Sequence, residues 1–577
     1  MKMEKYIFHR ETVWQSGDLL IPTLFFIYIL SCVKIQKIDS TEEQHMRTLF
    51  INGMIADGTG DKPYKGSVLI EDDRILEVGP EVNAEADKVI DAQGCLVCPG
   101  LIDAHSHNDF FYDREDAEKF YKPFIEQGIT TQITGNCSFS PFGMDENTPY
   151  RDKIGGGLFD AHHPGSFRQF KERAKGNLYV NMAPLVGNGS VRAGMTGYDA
   201  TPYTPEQIEE EMSHVREAMD EGALGGSFGF MYEPNRYSKR DELIAFAKTI
   251  AEYDGIVTIH PRACSIVSAD YPLLTKKSHL EMGLDEAVEI MKESGCRLEY
   301  SHLIFTGARS WKLLDKMLNT FYKARKEGYD IAYDNYAFHY GASVITVVFP
   351  EWYAALSKEE REKPLNRLKL TLTILMYRKV LGIDWEDLVV AYISDEHKKY
   401  EGKTVLQLAE EEGVKPIDMY LKLVELSNQS GSIYLGKYYN DEIVKRLMED
   451  DLSVFMTDAW VEEKGLQNIA AFQTFPQFFL LAKRYGMPLE RIVRKMTGAT
   501  ADRYRLEGRG YLRPGYKADI TVLAPDKLKV DERVPDFKPE GIEHVFVNGK
   551  QVMDKGVYLG GKAGELILRK GFNDSRK

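Results

Sequence analysis

The sequence predicts an α/β protein, a TIM-type (β/α)8 barrel with a small β-sandwich domain built from both chain ends. Three observations predict it. Apolar strand-like runs, each followed by an amphipathic stretch, recur eight times between Leu101 and Ala459. Side chains able to hold a metal ion stand at the C-terminal ends of those runs, the face on which such a barrel carries its chemistry. Short, turn-punctuated β texture precedes the first run and returns after the last.

Residues 1–45 form an N-terminal extension, signal-like or a start-site artefact. Leu19 to Leu30 (LLIPTLFFIYIL) is short for a membrane span but suits the apolar region of a signal, and Ser31-Cys32 loosely resembles a lipoprotein cleavage box. A natural domain start, MRTLFINGMIADGTG, follows at Met46. The favoured reading is an artefact and a cytoplasmic protein. The alternative is a form anchored to lipid through Cys32, and only in that case is a membrane expected.

Residues 46–100 read as the first part of the sandwich, with TLFINGMIADG, GSVLIEDDRILEVGP and KVIDAQGCLVCPG as short strands between Gly, Asn and Asp turns. Residues 101–505 read as the barrel. Its strands are LIDAHSH, TTQITGNC, YVNMAPLVGNG, GALGGSFGF, GIVTIHPR, RLEYSHL, GYDIAYDNY and DLSVFMTDA. Between them lie helical patterns such as TPEQIEEEMSHVREAMDEG and LDEAVEIMKESG, several ending in the Gly expected just past a helix C-terminus. The seventh unit is swollen by an insertion at about 345–445, rich in helical patterns (SKEEREKPLNRLKLTLTILMYRKVL, TVLQLAEEEG, PIDMYLKLVELSN). An insertion of that size in a βα loop is expected to cover or shape a pocket. Residues 506–577 read as the second part of the sandwich, from ADITVLAPD, GIEHVFVNGKQVMDKG and ELILRK.

Composition narrows the function. The 577 residues are 43% hydrophobic, enough for a large core, and the net charge of −15 is spread along the chain. That balance argues against nucleic-acid and anionic-membrane partners and for a soluble protein. Six cysteines, Cys32, Cys95, Cys98, Cys137, Cys264 and Cys296, are too few and scattered for a disulfide framework and indicate a reducing compartment. The lone Cys95-x-x-Cys98 pair is read as packing.

The chemistry is expected where LIDAHSH ends. Strand side chains alternate with a period of two, so His105 and His107 point the same way and make half of a metal site. Cys137 ends strand two, His260 strand five, His302 strand six and Asp458 strand eight. Singly, each has an ordinary structural reading as a buried hydrophobe, a hydrogen-bonded core histidine or a cap. Together on one rim they read as a metal centre. His162, His163 and His339 fall in loops or off the pattern and are assigned nothing. Imidazoles with one thiolate and a carboxylate suit Zn²⁺ better than Mg²⁺ or Ca²⁺. Such an ion lowers the pKa of bound water to about 7 and polarises a carbonyl oxygen. Asp458 beside it would act as general base and then as acid toward a leaving nitrogen, giving metal-assisted hydrolysis of an amide or related bond.

With these residues in place the sequence resembles the amidohydrolase superfamily and, within it, the N-acyl-D-amino-acid deacylases (D-aminoacylases). The resemblance runs from about Met46 to the last strands. It rests on PGLIDAHSHND, QGITTQITGNCSFSPFG, the GALGGSFGF turn, TIHPR, YSHL, the DNY of YDNYAF, MTDA and the closing MTGATADRYRLEGRGYLRPGYKADITVLAP. The cysteine in GNCSFSP is the most specific feature, because most superfamily relatives place a carboxylated lysine where the deacylases use a thiolate. The resemblance implies one tightly held zinc on Cys137, His260 and His302, a weaker second site near His105 and His107, and Asp458 as catalytic acid/base. It also implies substrate contacts from Arg262, through the family's H-x-R, and from Tyr336. A structural ion pair is an equal reading of Arg262. Departures bear on substrate: Ile304 stands where relatives often carry a carboxylate-binding lysine, and the second tyrosine of the family's DQYPY is missing from Asp334-Asn335-Tyr336-Ala337-Phe338. The implied substrate is an N-acyl-D-amino acid. Alternatives are a cyclic amide or imide hydrolase of the hydantoinase or dihydroorotase kind, and a non-catalytic scaffold on the same fold.

Overall fold

In the computed structural model the barrel wall is made of β1 (Leu101–Asp103), β2 (Ile129–Thr134), β3 (Asn181–Gly187), β4 (Gly225–Gly229), β5 (Ile256–His260), β6 (Arg297–Tyr300), β7 (Ile331–Asn335) and β8 (Ser453–Phe455). The structure describes residues 45–572 except 145–146, 156–158, 269, 273, 348, 355 and 570. The expectations for the N-terminal extension, including Cys32, fall outside this range. Among the described residues no helix is long and apolar enough to cross a membrane.

All eight strands lie in sequence order, each parallel to the next. Closure between β8 and β1 comes from loop backbone: the Ala104 N–H donates to Phe455 O (3.2 Å) and the Asp458 N–H to His105 O (2.9 Å). Buried Asp103 completes the seam by accepting from the Thr457 N–H (2.8 Å) and hydroxyl (2.6 Å). The strands are buried along their whole lengths, as befits a parallel sheet covered by helices.

The helices begin and end where their residues dictate. Thr204 forms a capping box with Gln207 ahead of Pro205–Asp220, and Ser278 forms one with Glu281 ahead of His279–Ser294. Gly295 ends the latter helix in the left-handed region, at φ +73°.

Within the swollen seventh unit the expected helices form at Pro364–Leu381, Val405–Glu412 and Pro416–Leu426. Among them runs a three-stranded antiparallel sheet, Gly341–Val344, Leu388–Tyr392 and Ser432–Leu435, that the sequence reading did not contain. Each of these strands is a short apolar run, for which periodicity does not separate strand from buried helix.

The two chain ends share one sheet, nine-stranded among the described residues, as the sandwich reading expected. Leu96–Pro99 pairs antiparallel with Ile520–Leu523, and Phe50, Val68, Ile75, Val97, Ile520, Val522 and Phe546 form a common core from both ends. The segment ELILRK differs from expectation. Its Leu566 makes an isolated bridge to Met182 of the barrel, as Gly564 just before it does to Leu178, rather than a sandwich strand.

Candidate metal centre

Each candidate side chain is delivered by the end of a barrel strand or by the turn that follows one. After β2 the chain reverses at Gly135 (φ +76°), where an added Cβ would lie 1.9 Å from Leu185 O, so the approach to β3 requires glycine. Asn136 is held by the Thr258 hydroxyl (3.0 Å), and Cys137 then enters the left-handed region at φ +53°. Gly229, at the end of β4, lets that turn descend on it; a Cβ there would sit 2.1 Å from Cys137 O. His302 (φ +37°) and Asp458 (φ +45°) also occupy left-handed backbone. For side-chain-bearing residues this is a strained conformation, of the kind that clusters at functional sites.

The side chains converge. Cys137 Sγ lies 3.3 Å from His105 Nε2, 3.4 Å from His260 Nδ1 and 3.6 Å from His302 Nε2. Asp458 Oδ1 lies 3.3 Å from His105 Nε2 and 3.2 Å from His107 Nε2. Two ligand groups emerge that share the cysteine: Cys137, His260 and His302, and His105, His107, Cys137 and Asp458. Zinc–sulfur bonds of about 2.3 Å and zinc–nitrogen bonds of about 2.0–2.1 Å at a tetrahedral angle would place sulfur and nitrogen roughly 3.5 Å apart. The spacing about Cys137 fits that requirement.

The electrostatics fit it too. Burial drives the pKa of all four imidazoles down, well down for His260, which keeps ring nitrogens free to act as ligands. Burial holds the Cys137 thiol well up, and the Asp458 and Asp334 carboxylates push it the same way, so a thiolate there calls for a cation. Burial would also raise Asp458, but His105, His107 and His302 outweigh it and hold the carboxyl well below its usual range.

All six predicted metal-site residues are thus brought together. Tyr336 joins them, its hydroxyl donating to Asp458 Oδ2. Arg262 does not present a free guanidinium. Its Nε and Nη2 meet the Glu286 carboxylate at 3.1 and 3.0 Å and its Nη1 donates to Arg236 O (3.2 Å), the ion-pair arrangement. Two further residues escaped the sequence reading. Asp334 accepts the His302 N–H and lies 3.4 Å from His105 Nδ1, orienting both ligands. The Tyr232 ring lies 4.7 Å from that of His260. The D of DNY was the available signal for Asp334; Tyr232, in the loop after β4, carried none. Aromatic rings form one wall, with Phe159 stacked on His107 (5.2 Å) and Phe110 (4.7 Å) and edge-on to Trp460 (4.8 Å).

Histidines after β1 and β6, one at the end of β5 and an aspartate after β8 share one rim of the barrel. A family profile described as "Amidohydrolase family" matches residues 473–553. The particular likeness is to the D-aminoacylases. The D-aminoacylase of Alcaligenes xylosoxydans xylosoxydans is 25% identical over 539 residues, covering 92% of this chain and 99% of its own length. A D-aminoacylase structure described by its binuclear metal centre superposes with a TM-score of 0.72 at 23% identity, over 91% of this chain and 99% of that one. An N-acyl-D-glutamate deacylase from Bordetella bronchiseptica, crystallised with zinc and a phosphonate mimic of the tetrahedral intermediate, gives 0.72 at 23% identity, over 90% and 99%. The chain resembles the amidohydrolases as a class and the D-aminoacylases along nearly its whole length.

Proposed function

We propose that this chain is a zinc-dependent amidohydrolase that cleaves the amide bond of N-acyl-D-amino acids, with Asp458 as general acid/base. The observation that carries the reading is the meeting of Cys137 with three imidazoles beside a buried, ionised Asp458. Cys137, His260 and His302 would hold the tight ion and His105 and His107 a weaker one. When bound, zinc supplies an activated water and a polarised acyl carbonyl.

The remaining work falls to the chain. Asp458, kept ionised by its imidazole neighbours, would take the proton of the attacking water and return it to the leaving nitrogen. The Tyr336 hydroxyl fixes the orientation of that carboxylate and is proposed to meet the substrate once Asp458 turns toward it. The wall of Phe159, Phe110 and Trp460 excludes water from one side. Ile304 offers the substrate carboxylate no charge, and Arg262 would have to exchange Glu286 for it, so side-chain and carboxylate preference is expected to differ from relatives that carry the lysine.

The deciding experiment is zinc analysis joined to a panel of N-acetyl-D-amino acids set beside hydantoins. Turnover of the linear D-substrates with zinc retained is expected, and turnover of the rings alone would overturn the assignment. A cytoplasmic site of action is proposed with it, from the net charge of −15 and the free thiols at Cys95, Cys98, Cys137, Cys264 and Cys296. A mature chain beginning at Cys32 would reverse that part.

A further inference from the structure

We propose that Asp113, His162 and His163 form an additional divalent transition-metal site, outside the active centre, that ties the loop after β2 to the turn after His107. One ligand atom from each of the three lies within 4.8 Å of the other two. His163 Nδ1 stands 2.8 Å from Asp113 Oδ2, and the His162 and His163 rings lie 5.7 Å apart. Two imidazoles and one carboxylate are a ligand set that takes zinc, nickel or cobalt and leaves coordination positions for water.

The loop around these side chains is built rather than loose. Arg151 donates to His162 O (3.1 Å), and Arg173, from helix Phe167–Ala174, donates to His163 O, so a guanidinium holds each backbone carbonyl of the pair. The same Arg173 reaches back to the Tyr112 hydroxyl (3.3 Å), next to Asp113 in the chain. The Asp113 side chain is only 11% exposed, whereas His163 is 54% exposed, leaving one side of the cluster open to an ion arriving from solvent.

What such an ion would do follows from its neighbours in sequence. Asp113 closely follows the turn Asn108–Phe110 that leaves His107, and His162 closely follows Phe159, the ring stacked on His107. An ion bridging the two loops shortens the free span on either side of that stack and fixes the aromatic wall. The site does not depend on the proposed reaction, and its test reads metal and backbone rather than turnover.

Protein loaded with zinc and freed of loose metal by gel filtration is titrated with Zn²⁺ by calorimetry, alongside His162→Ala, His163→Ala and Asp113→Asn. The wild type should take up one more equivalent than each variant, while the tight zinc carried through the column stays equal in all four. Equal uptake by wild type and variants would overturn the site. Amide hydrogen exchange of residues 159–163 supplies the second reading. Zinc addition should slow exchange in the wild type alone, and unchanged exchange in the wild type would overturn the tether.

Discussion

Asp458 carries the sharpest residue-level expectation. Asp458→Asn keeps the shape and removes the base, so turnover should fall by about 10²–10⁴-fold. Zinc held, as proposed, through Cys137, His260 and His302 should remain, as metal analysis of the purified variant would verify. Gly229→Ala tests the backbone beneath the site. The new methyl would press on Cys137 O from 2.1 Å, displacing the thiol and lowering zinc content and rate together while circular dichroism stays native. The six candidate ligands were legible because strand ends are legible: an apolar run followed by a metal-competent side chain marks the barrel's catalytic rim. Asp334 was not assigned a role, since its part is played through His105 Nδ1 and the His302 N–H, partners far away in the chain. Arg262 shows the opposite limit. The motif left substrate contact and ion pair as equal readings, and Glu286, on the helix His279–Ser294, holds its guanidinium.

Single side chains also join whole elements. Arg503, on the helix Gly498–Tyr504, donates to the Glu299 carboxylate of β6 (2.5 Å) and to Asp330 just before β7 (2.8 Å). Arg503→Ala would leave the fully buried Glu299 without its partner, and a loss of stability is expected in denaturant unfolding. The loop after β8 gives a pH signature. Burial pushes Glu462 up to about 7, against the hydrogen bond donated by Trp460 Nε1 (3.2 Å). A raised folded pKa means that the folded chain keeps a proton the unfolded chain releases, so stability falls as pH climbs from about 4.5 to about 7. Glu462→Gln should therefore raise Tm at about pH 8 and leave it unchanged near pH 4. Scanning calorimetry at both values would check it. The barrel elements were readable because eight units repeat one period. The sheet of the insertion was not, because Leu388–Tyr392 and Ser432–Leu435 lie among helical patterns and their pairing is set by packing.

The whole molecule is closed by its two chain ends. The strand Ile520–Leu523 stitches to Leu96–Pro99, and a buried polar hub links the shared sheet to the barrel. In that hub Asn181 donates to Asp519 (3.0 Å) and accepts from Asn548 (2.7 Å), while Arg509 pairs with Asp519. Sheet and barrel should unfold in one transition, and a chain cut before Ile520 should fail to reach native ellipticity. Two separated calorimetric transitions in the intact protein would contradict this coupling. That both ends share a sheet was visible from their matching turn texture; that the last segment leaves it for the barrel was not, since ELILRK reads as a strand in either place.

Cys137, His302 and Asp458 sit where glycine or asparagine would rest at ease. On the proposed reading, natural drift has a cheap exit at these three points that demand for the reaction would block. A descendant of this gene released from that demand should surrender them early, to residues that relax the turn. Glycine or asparagine at these positions in a related sequence would mark a lineage that has given up the chemistry while keeping the barrel.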